Sequence, residues 1–148
     1  MTSDRYKQYW AIRRKTDDEW ESVITNLGMA KAQVMVIWTL WTFEKPCTQK
    51  EICADWYENK QTINSATKKL IEEGYIDIAP SPENFREKLL TLTEKGKLFA
   101  KRTVDKFINA EKRAFEKLTE EEQEFAISIS EKYCELLKEE FEKAKGET

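Results

Sequence analysis

Four polar residues follow one helical face of the segment NKQTINSATKKLIEEGYIDI, which covers residues 59–78. They stand at positions i, i+3, i+4 and i+7, and they are Gln61, Asn64, Ser65 and Lys68. Ile63, Leu70 and Ile71 have the spacing of an opposite, packed face. Amides, hydroxyls and ammonium groups are the types that read base edges and bind phosphates. The pattern therefore predicts a helix that faces DNA, with an ordinary solvated face as the alternative.

Other kinds of chemistry have little support in the sequence. Histidine is absent, which removes the commonest general base and a common metal ligand. No glycine-rich phosphate loop or serine nucleophile elbow occurs. The cysteines, Cys47, Cys53 and Cys134, lack the spacing of a metal site. We therefore expect neither an enzyme nor a bound cofactor.

Length and composition predict a soluble, helix-rich protein. The 148 residues allow one domain, or a small domain with a packing arm, and 36% of them are charged. No apolar run approaches the roughly 20 residues that span a bilayer, and the N-terminus is too polar for a signal peptide. We expect a cytoplasmic protein without a membrane partner.

The charge is distributed unevenly along the chain. The formal net charge is −3, which by itself argues against a nucleic-acid partner. Residues 45–102, however, hold eleven basic and nine acidic side chains, whereas residues 103–148 hold eight basic and thirteen acidic ones. The middle of the chain therefore permits DNA binding without proving it.

Helical patterns dominate the chain up to residue 74. Near the N-terminus, Tyr6, Tyr9 and Trp10 form one apolar face. Thr16 and Glu19 have the spacing of a capping box, which predicts that a helix restarts there and ends at Gly28. The next segment, AKAQVMVIWTLWTF, is apolar on nearly all sides and predicts a buried helix.

A short helix and the polar helix follow, and then the periodicity changes. Thr48 and Glu51 form a second predicted capping box, Asn59 is placed to cap the polar helix, and Gly74 ends it. YIDI and KLLTLT then read as strands around the loop APSPENFRE. A helix-turn-helix followed by a hairpin is a winged helix, whose second helix enters the major groove.

The C-terminal part predicts two long amphipathic helices. Thr119 and Glu122 supply another capping box at the start of the second one. Apolar residues recur every three to four positions after it: Phe125, Ile129, Tyr133, Leu136, Leu137 and Phe141. We expect an intermolecular bundle to cover them, with a helical hairpin folded back on its own monomer as the alternative.

Three motifs, taken together, resemble the MarR family of bacterial transcription regulators over about residues 20–145, most strongly over residues 48–96. The first is Leu-x-x-x-Gly at residues 70–74 after a polar helix, and the second is a wing arginine, Arg86. The third is Leu-Thr-x-x-Gly at residues 92–96. The family usually has aspartate two residues before the wing arginine, but this chain has Asn84, and Glu83 and Glu87 flank Arg86. The contact of Arg86 with the minor groove is therefore left open.

The resemblance implies a mostly α fold with a small β-hairpin wing, a winged helix-turn-helix at residues 30–102 and helical dimerisation regions at 1–29 and 103–148. It also implies a homodimer on double-stranded DNA. Combined with the polar face, it predicts a DNA-facing set: Thr48, Gln49, Lys60, Gln61, Thr62, Asn64, Ser65, Lys68, Lys69, Arg86 and Lys88.

Many family members bind aromatic effectors between the dimerisation helices and the winged domain. The residues here that would border that cleft are Trp10, Trp20, Trp38 and Trp41, with ordinary core packing as the favoured alternative. Some relatives sense oxidants, and Cys47 precedes a helix N-terminus, although a plain structural cysteine is the favoured interpretation.

The sequence thus predicts a sequence-specific DNA-binding transcription regulator, acting as a ligand-responsive homodimeric repressor on a pseudo-palindromic operator. The alternative is a winged-helix module that binds a protein partner and uses the helical dimer as a scaffold. The acidic balance of the chain gives that alternative its weight.

Overall fold

The structure, a computed structural model, describes residues 4–147. Seven helices and one antiparallel hairpin follow in this order among those residues: α1 (Asp4–Asn26), α2 (Lys31–Phe43), α3 (Gln49–Trp56), α4 (Lys60–Glu72), β1 (Ile76–Pro80), β2 (Lys88–Leu92), α5 (Glu94–Arg102), α6 (Val104–Glu116) and α7 (Glu120–Gly146). The predicted fold class, mostly α with a small β-hairpin wing, is confirmed.

The predicted interruption of the first helix is wrong. Helix α1 runs through Thr16 without a break. The Thr16 hydroxyl donates to the carbonyl of Ile12 at 3.3 Å, so it bonds back within the helix instead of capping a new one. Gly28 has the positive φ of 72° that the predicted helix end requires.

Helix α2 lies at the centre of the core, as its apolar sequence predicted. Seven of its residues are buried, and α3, α4 and the hairpin pack their apolar side chains around it. The largest fully buried side chains around α2 are Ile52, Ile63, Leu70, Ile76 and Leu90. Each buried aliphatic side chain stabilises the fold by about 1.5–3 kcal/mol relative to an exposed one.

Capping side chains begin three of the helices where the sequence predicted them. Thr48 accepts the main-chain N–H of Glu51 at 3.2 Å and Asn59 accepts that of Thr62 at 2.8 Å. Thr119 likewise accepts the N–H of Glu122 at 3.2 Å. These bonds satisfy donors that a helix N-terminus leaves free, which fixes where α3, α4 and α7 start.

The hairpin extends beyond its two strands. Ile76 pairs with Leu92 and Pro80 pairs with Lys88, which confirms the predicted strands. Cys47, in the connection between α2 and α3, exchanges two main-chain hydrogen bonds with Leu90, at 3.1 and 2.8 Å. This bridge ties the helix-turn-helix to the wing.

The Leu-Thr-x-x-Gly motif joins the end of α4 to the start of α5. The Thr93 hydroxyl accepts the N–H of Gly96 at 3.1 Å and donates to the carbonyl of Gly74 at 2.6 Å. A Cβ on Gly96 would collide with the carbonyl oxygen of Tyr75, so only glycine permits this approach. The motif is therefore structural.

The chain divides into two compact units, one ending at Phe107 and one beginning at Ile108. In the second unit, α7 is 27 residues long and none of its residues is buried. The assignment of residues 1–29 and 103–148 to dimerisation stays a prediction, and residues 1–3 and 148 lie outside the described part. In that part, no single helix is long and apolar enough to cross a membrane, and only α1 and α2, bent by 93°, pass that test as a pair.

Candidate nucleic-acid interface

Helix α4 has two separate faces. Ile63, Ala66, Thr67 and Leu70 are buried on one side. The predicted DNA-facing residues of α4 lie on the other side: Lys60, Gln61, Ser65, Lys68 and Lys69 are exposed, whereas Thr62 and Asn64 are half-buried. The polar positions predicted to face outward are thus accessible to a partner.

A groove of about 520 Å³ runs along part of this face. Gln61, Ser65 and Lys69 line one wall, and Ala32 and Gln33 at the start of α2 lie on the other. The wall on α4 offers an amide, a hydroxyl and an ammonium group in a row, so it can form several hydrogen bonds with one polar ligand.

Helices α3 and α4 bring two predicted site residues together. The Gln49 amide donates to the Asn64 side-chain oxygen at 3.5 Å, a long hydrogen bond that a stronger partner can replace. Thr48 is committed within the chain, because its hydroxyl caps α3 in a box with Glu51. Hydrogen bonds from Thr48, the main-chain one first, lower the pKa of Glu51, so a carboxylate stands at the start of α3.

The cations of the predicted set differ in their availability. Lys69 lies 4.0 Å from Glu73 in an exposed ion pair, which contributes little. Within the described chain, the ammonium groups of Lys60, Lys68 and Lys88 have no ion pair or hydrogen bond. These free lysines can pair with phosphates without first breaking a contact.

The wing departs from the family pattern in what Asn84 does. The Asn84 side-chain oxygen accepts the main-chain N–H of Arg86 at 3.2 Å. Asn84 therefore shapes the turn rather than orienting the guanidinium. That guanidinium is exposed, and it pairs with neither Glu83 nor Glu87 among the described residues.

Comparison with protein-family models decides the type of this domain. Residues 29–96 match a model described as a winged helix DNA-binding domain. This chain contains a winged helix domain. The match covers the groove, the α3–α4 contact and the wing, and we refer to residues 29–96 as the winged helix domain.

Solved structures extend the likeness to nearly the whole chain. A MarR family regulator from Neisseria meningitidis superposes with a TM-score of 0.78 at 21% identity, covering 95% of this chain and 99% of that one. The PcaV transcriptional regulator from Streptomyces coelicolor, in complex with its natural ligand, gives 0.65 at 15% identity, covering 91% and 97%.

A mutant of MepR from S. aureus, bound to an oligodeoxyribonucleotide, gives 0.55 at 18% identity, covering 92% and 99%. The sequence matches none of the curated proteins. The resemblance to the MarR family is thus confirmed at the level of the fold.

The tryptophans predicted to border a cleft lie in three different places. Trp20 and Trp38 meet edge to face at 5.3 Å, and Trp38 meets Trp56 in the same way at 6.1 Å. Trp10 contacts Tyr6 and Arg13 on the exposed side of α1. The packing alternative therefore fits Trp20 and Trp38.

Trp56 was not among the predicted site residues. Its indole N–H donates to the Thr39 hydroxyl at 2.8 Å, and that hydroxyl donates to Asp55 at 3.0 Å. These hydrogen bonds fix α3 against α2. This role depends on contacts with Trp38 and Thr39 in α2, so the spacing of residues within α3 does not show it.

Trp41 borders a separate cavity, and seven of its eight lining residues lie in the winged helix domain. The cavity measures about 370 Å³ and is lined by Leu40, Trp41, Glu44, Lys45, Pro46, Thr91, Leu92 and Lys97. The Trp41 indole N–H donates to Asp105 at 3.1 Å, which holds the ring in place. The lining combines an aromatic wall and two lysines with Glu44. Both lysines are in exposed ion pairs, Lys45 with Glu51 at 3.7 Å and Lys97 with Glu94 at 3.0 Å.

Cys47 is buried, with its thiol directed at the carbonyl of Lys45 at 3.4 Å. Burial, and secondarily the charge of Glu51, raises the pKa of this thiol, while Lys45 opposes the shift. A protonated, inaccessible thiol is unreactive, so the structure favours a packing role over oxidant sensing. In the described part of the chain, no cluster of three acidic or cysteine side chains is suited to a metal.

Proposed function

We propose that this protein is a MarR-family transcription regulator that binds DNA sequence-specifically as a homodimer and represses its target in the cytoplasm. The observation that carries the proposal is the polar face of α4, which is exposed while the opposite face forms the core. That face lies in the region that matches a winged helix DNA-binding model, which supports the expectation that its amides read bases and its lysines bind phosphates.

Two structural relatives support the DNA and ligand parts of this proposal. The MepR mutant was solved on an oligodeoxyribonucleotide, and PcaV was solved with its natural ligand. A shared fold at low sequence identity makes the same activities reasonable for this chain, but its own residues must supply the specificity.

The homodimer is supported by apolar residues that α7 leaves uncovered. Phe125, Ile129, Leu136 and Phe141 recur on this helix and are exposed in the isolated chain. A helix of 27 residues without a buried side chain gains little from packing within one chain. We propose that a second copy of the chain covers this stripe, and that the two α4 helices of the dimer bind successive major grooves.

The effector is proposed to be a small aromatic acid bound in the cavity beside Trp41. The indole face and Leu40 supply the apolar wall. Lys45 and Lys97 supply positive charge by exchanging their exposed ion pairs with Glu51 and Glu94 for the ligand. A ligand there lies against the end of α2 and the end of β2, which are parts of the winged helix domain, and we propose that its binding lowers DNA affinity.

A titration with random-sequence duplex DNA tests the proposed function. The full chain should bind with micromolar affinity at low salt, and the affinity should fall steeply as salt rises, because phosphate neutralisation releases counterions. Selection from a randomised duplex pool should then yield pseudo-palindromic sites. A chain that binds no duplex at low salt would instead support the protein-binding alternative.

A further inference from the structure

The two most exposed large apolar side chains among the described residues are not on the predicted dimerisation helices. They are Tyr57, which is 98% exposed, and Phe85, which is 82% exposed. The next are Phe125 on α7 at 66% and Ile12 on α1 at 64%. Tyr57 lies in the turn that precedes α4, and Phe85 lies in the wing loop that follows it. The two residues thus flank the polar helix in the sequence of the winged helix domain.

The backbone at Tyr57 has a conformation that is unfavourable for a tyrosine. It ends α3 with φ 52° and ψ 34°, the left-handed region in which glycine or asparagine is better tolerated. Its ring packs against nothing, and its hydroxyl has no hydrogen bond within the described chain. The fold therefore gains nothing from this side chain, which remains available to an external partner.

Phe85 is presented by a hydrogen-bonded loop. The N–H of Ser81 donates to the carbonyl of Glu87 at 2.8 Å, and the N–H of Glu87 donates to the carbonyl of Asn84 at 2.9 Å. Asn84 also holds the N–H of Arg86. A ring on such an ordered loop loses little conformational freedom when it binds.

Charge alone does not suit these two loops to DNA. Glu58 follows Tyr57, and Glu83 and Glu87 lie on either side of Phe85. Carboxylates repel phosphates, and the neighbouring cations, Lys60 beside the first loop and Arg86 and Lys88 at the wing, only balance them, so neither loop is net positive. Contact with DNA at these loops therefore needs an apolar component, which aromatic rings supply against deoxyribose and base faces.

We propose that Tyr57 and Phe85 are DNA-contact residues that bind sugar and base faces on the two sides of α4. Phe85 lies against the minor groove beside Arg86, and Tyr57 lies against the backbone at the edge of the major groove. The inference rests on the proposed DNA-binding function, and it assigns to each loop an apolar contact that adds no phosphate neutralisation.

The test uses the full chain and a duplex that the wild-type protein selects from a randomised pool. Tyr57→Asn removes the ring, and asparagine tolerates the left-handed backbone at this position. Tyr57→Phe keeps the ring and is the matched control. Phe85→Ala removes the other ring. Arg86→Ala is the comparison variant, because it removes a positive charge from the same loop. Affinity is measured at several salt concentrations, and melting temperatures show whether each variant is folded.

We expect Tyr57→Asn and Phe85→Ala each to lower affinity roughly tenfold, with an unchanged slope of log affinity against log salt. Tyr57→Phe should bind like the wild type, and Arg86→Ala should reduce the slope. The melting temperature should be unchanged for Phe85→Ala and unchanged or raised for Tyr57→Asn. Wild-type affinity in both ring variants, or a reduced salt slope in them, would overturn the inference. Absence of duplex binding by the wild type would instead overturn the proposed function.

Discussion

At the scale of single residues, the polar face of α4 separates base reading from phosphate binding. Gln61→Ala and Asn64→Ala should each cost about 1–3 kcal/mol on a selected duplex while hardly changing binding to random DNA. Lys68→Ala should weaken both similarly and lower the salt slope by about one, because Lys68 is free to meet a phosphate. Fluorescence anisotropy with both duplexes measures these effects.

Lys143→Ala is the charge-matched control, since that lysine lies in α7 and already pairs with Glu140. If Gln61→Ala and Asn64→Ala both retain wild-type affinity for the selected duplex, α4 is not the reading helix.

Substitutions at two buried threonines should change the stability of the fold in opposite directions. The Thr67 hydroxyl is buried without a hydrogen-bond partner, whereas that of Thr39 bonds with Trp56 and Asp55. Thr67→Val should therefore raise the free energy of unfolding by about 1 kcal/mol, and Thr39→Val should lower it by about 1–3 kcal/mol. Urea unfolding at one protein concentration measures both, and equal effects of the two substitutions would contradict this account.

The burial of Cys47 predicts a specific pH dependence. Because its folded pKa is raised, the thiol of the unfolded chain loses its proton first, and folding is destabilised as pH rises above the ordinary value of 9.0. This loss should be absent in Cys47→Ala. In the folded wild type, iodoacetamide should leave Cys47 unmodified until urea unfolds the chain. Rapid modification in the folded state, or peroxide-sensitive DNA binding that Cys47→Ser removes, would restore the sensing hypothesis.

At the scale of elements, α7 should be needed for assembly. A chain that ends at Lys117 should lose its partner and much of its stability, because α7 carries the exposed apolar stripe. Leu136→Ala and Phe141→Ala should each destabilise the dimer by about 2–5 kcal/mol if both side chains become buried there. Sedimentation at several concentrations measures the association, with exposed Lys132→Ala as the control. A folded, stable monomer from the shortened chain would show that the dimer is not built this way.

Local patterns predicted most elements well because capping and amphipathicity act within a few residues. The caps at Thr48, Asn59 and Thr119 lie where the sequence placed them. The predicted helix start at Thr16 is wrong because the Thr16 hydroxyl can also donate to the carbonyl of Ile12. That hydrogen bond is compatible with a continuous helix. The bridge between Cys47 and Leu90 was not predictable from such patterns, since it joins residues that are distant in sequence.

At the scale of the whole molecule, effector binding and DNA binding should oppose each other. A planar aromatic acid should quench tryptophan fluorescence and weaken binding to a selected duplex, and the duplex must weaken the ligand by the same factor. Trp41→Leu should remove both effects, whereas Trp10→Leu should not, because Trp10 lies away from the cavity on exposed α1. If a panel of phenolic acids changes neither signal, the cavity beside Trp41 is not an effector site.

Part of the candidate site could be predicted from the sequence because helical spacing, like capping, acts within a few residues. Helical spacing placed Gln61, Ser65 and Lys68 on an accessible face. It did not reveal the groove beside α2, the contact between Gln49 and Asn64, or the separation of Trp41 from Trp20 and Trp38. Those features depend on how the helices pack across the core, and the residue pattern within one helix does not show which helices pack against it.

The separation of the two faces of α4 has a consequence for how such a regulator diversifies. Ile63, Ala66 and Leu70 hold the helix in the core, and none of them faces the solvent. Gln61 and Ser65 can therefore be exchanged without disturbing that packing, at a stability change usually within about 0.5 kcal/mol. After a gene duplication, one copy can acquire a new target sequence while its fold stays the same. A library randomised at these outward positions should yield folded proteins with different operators.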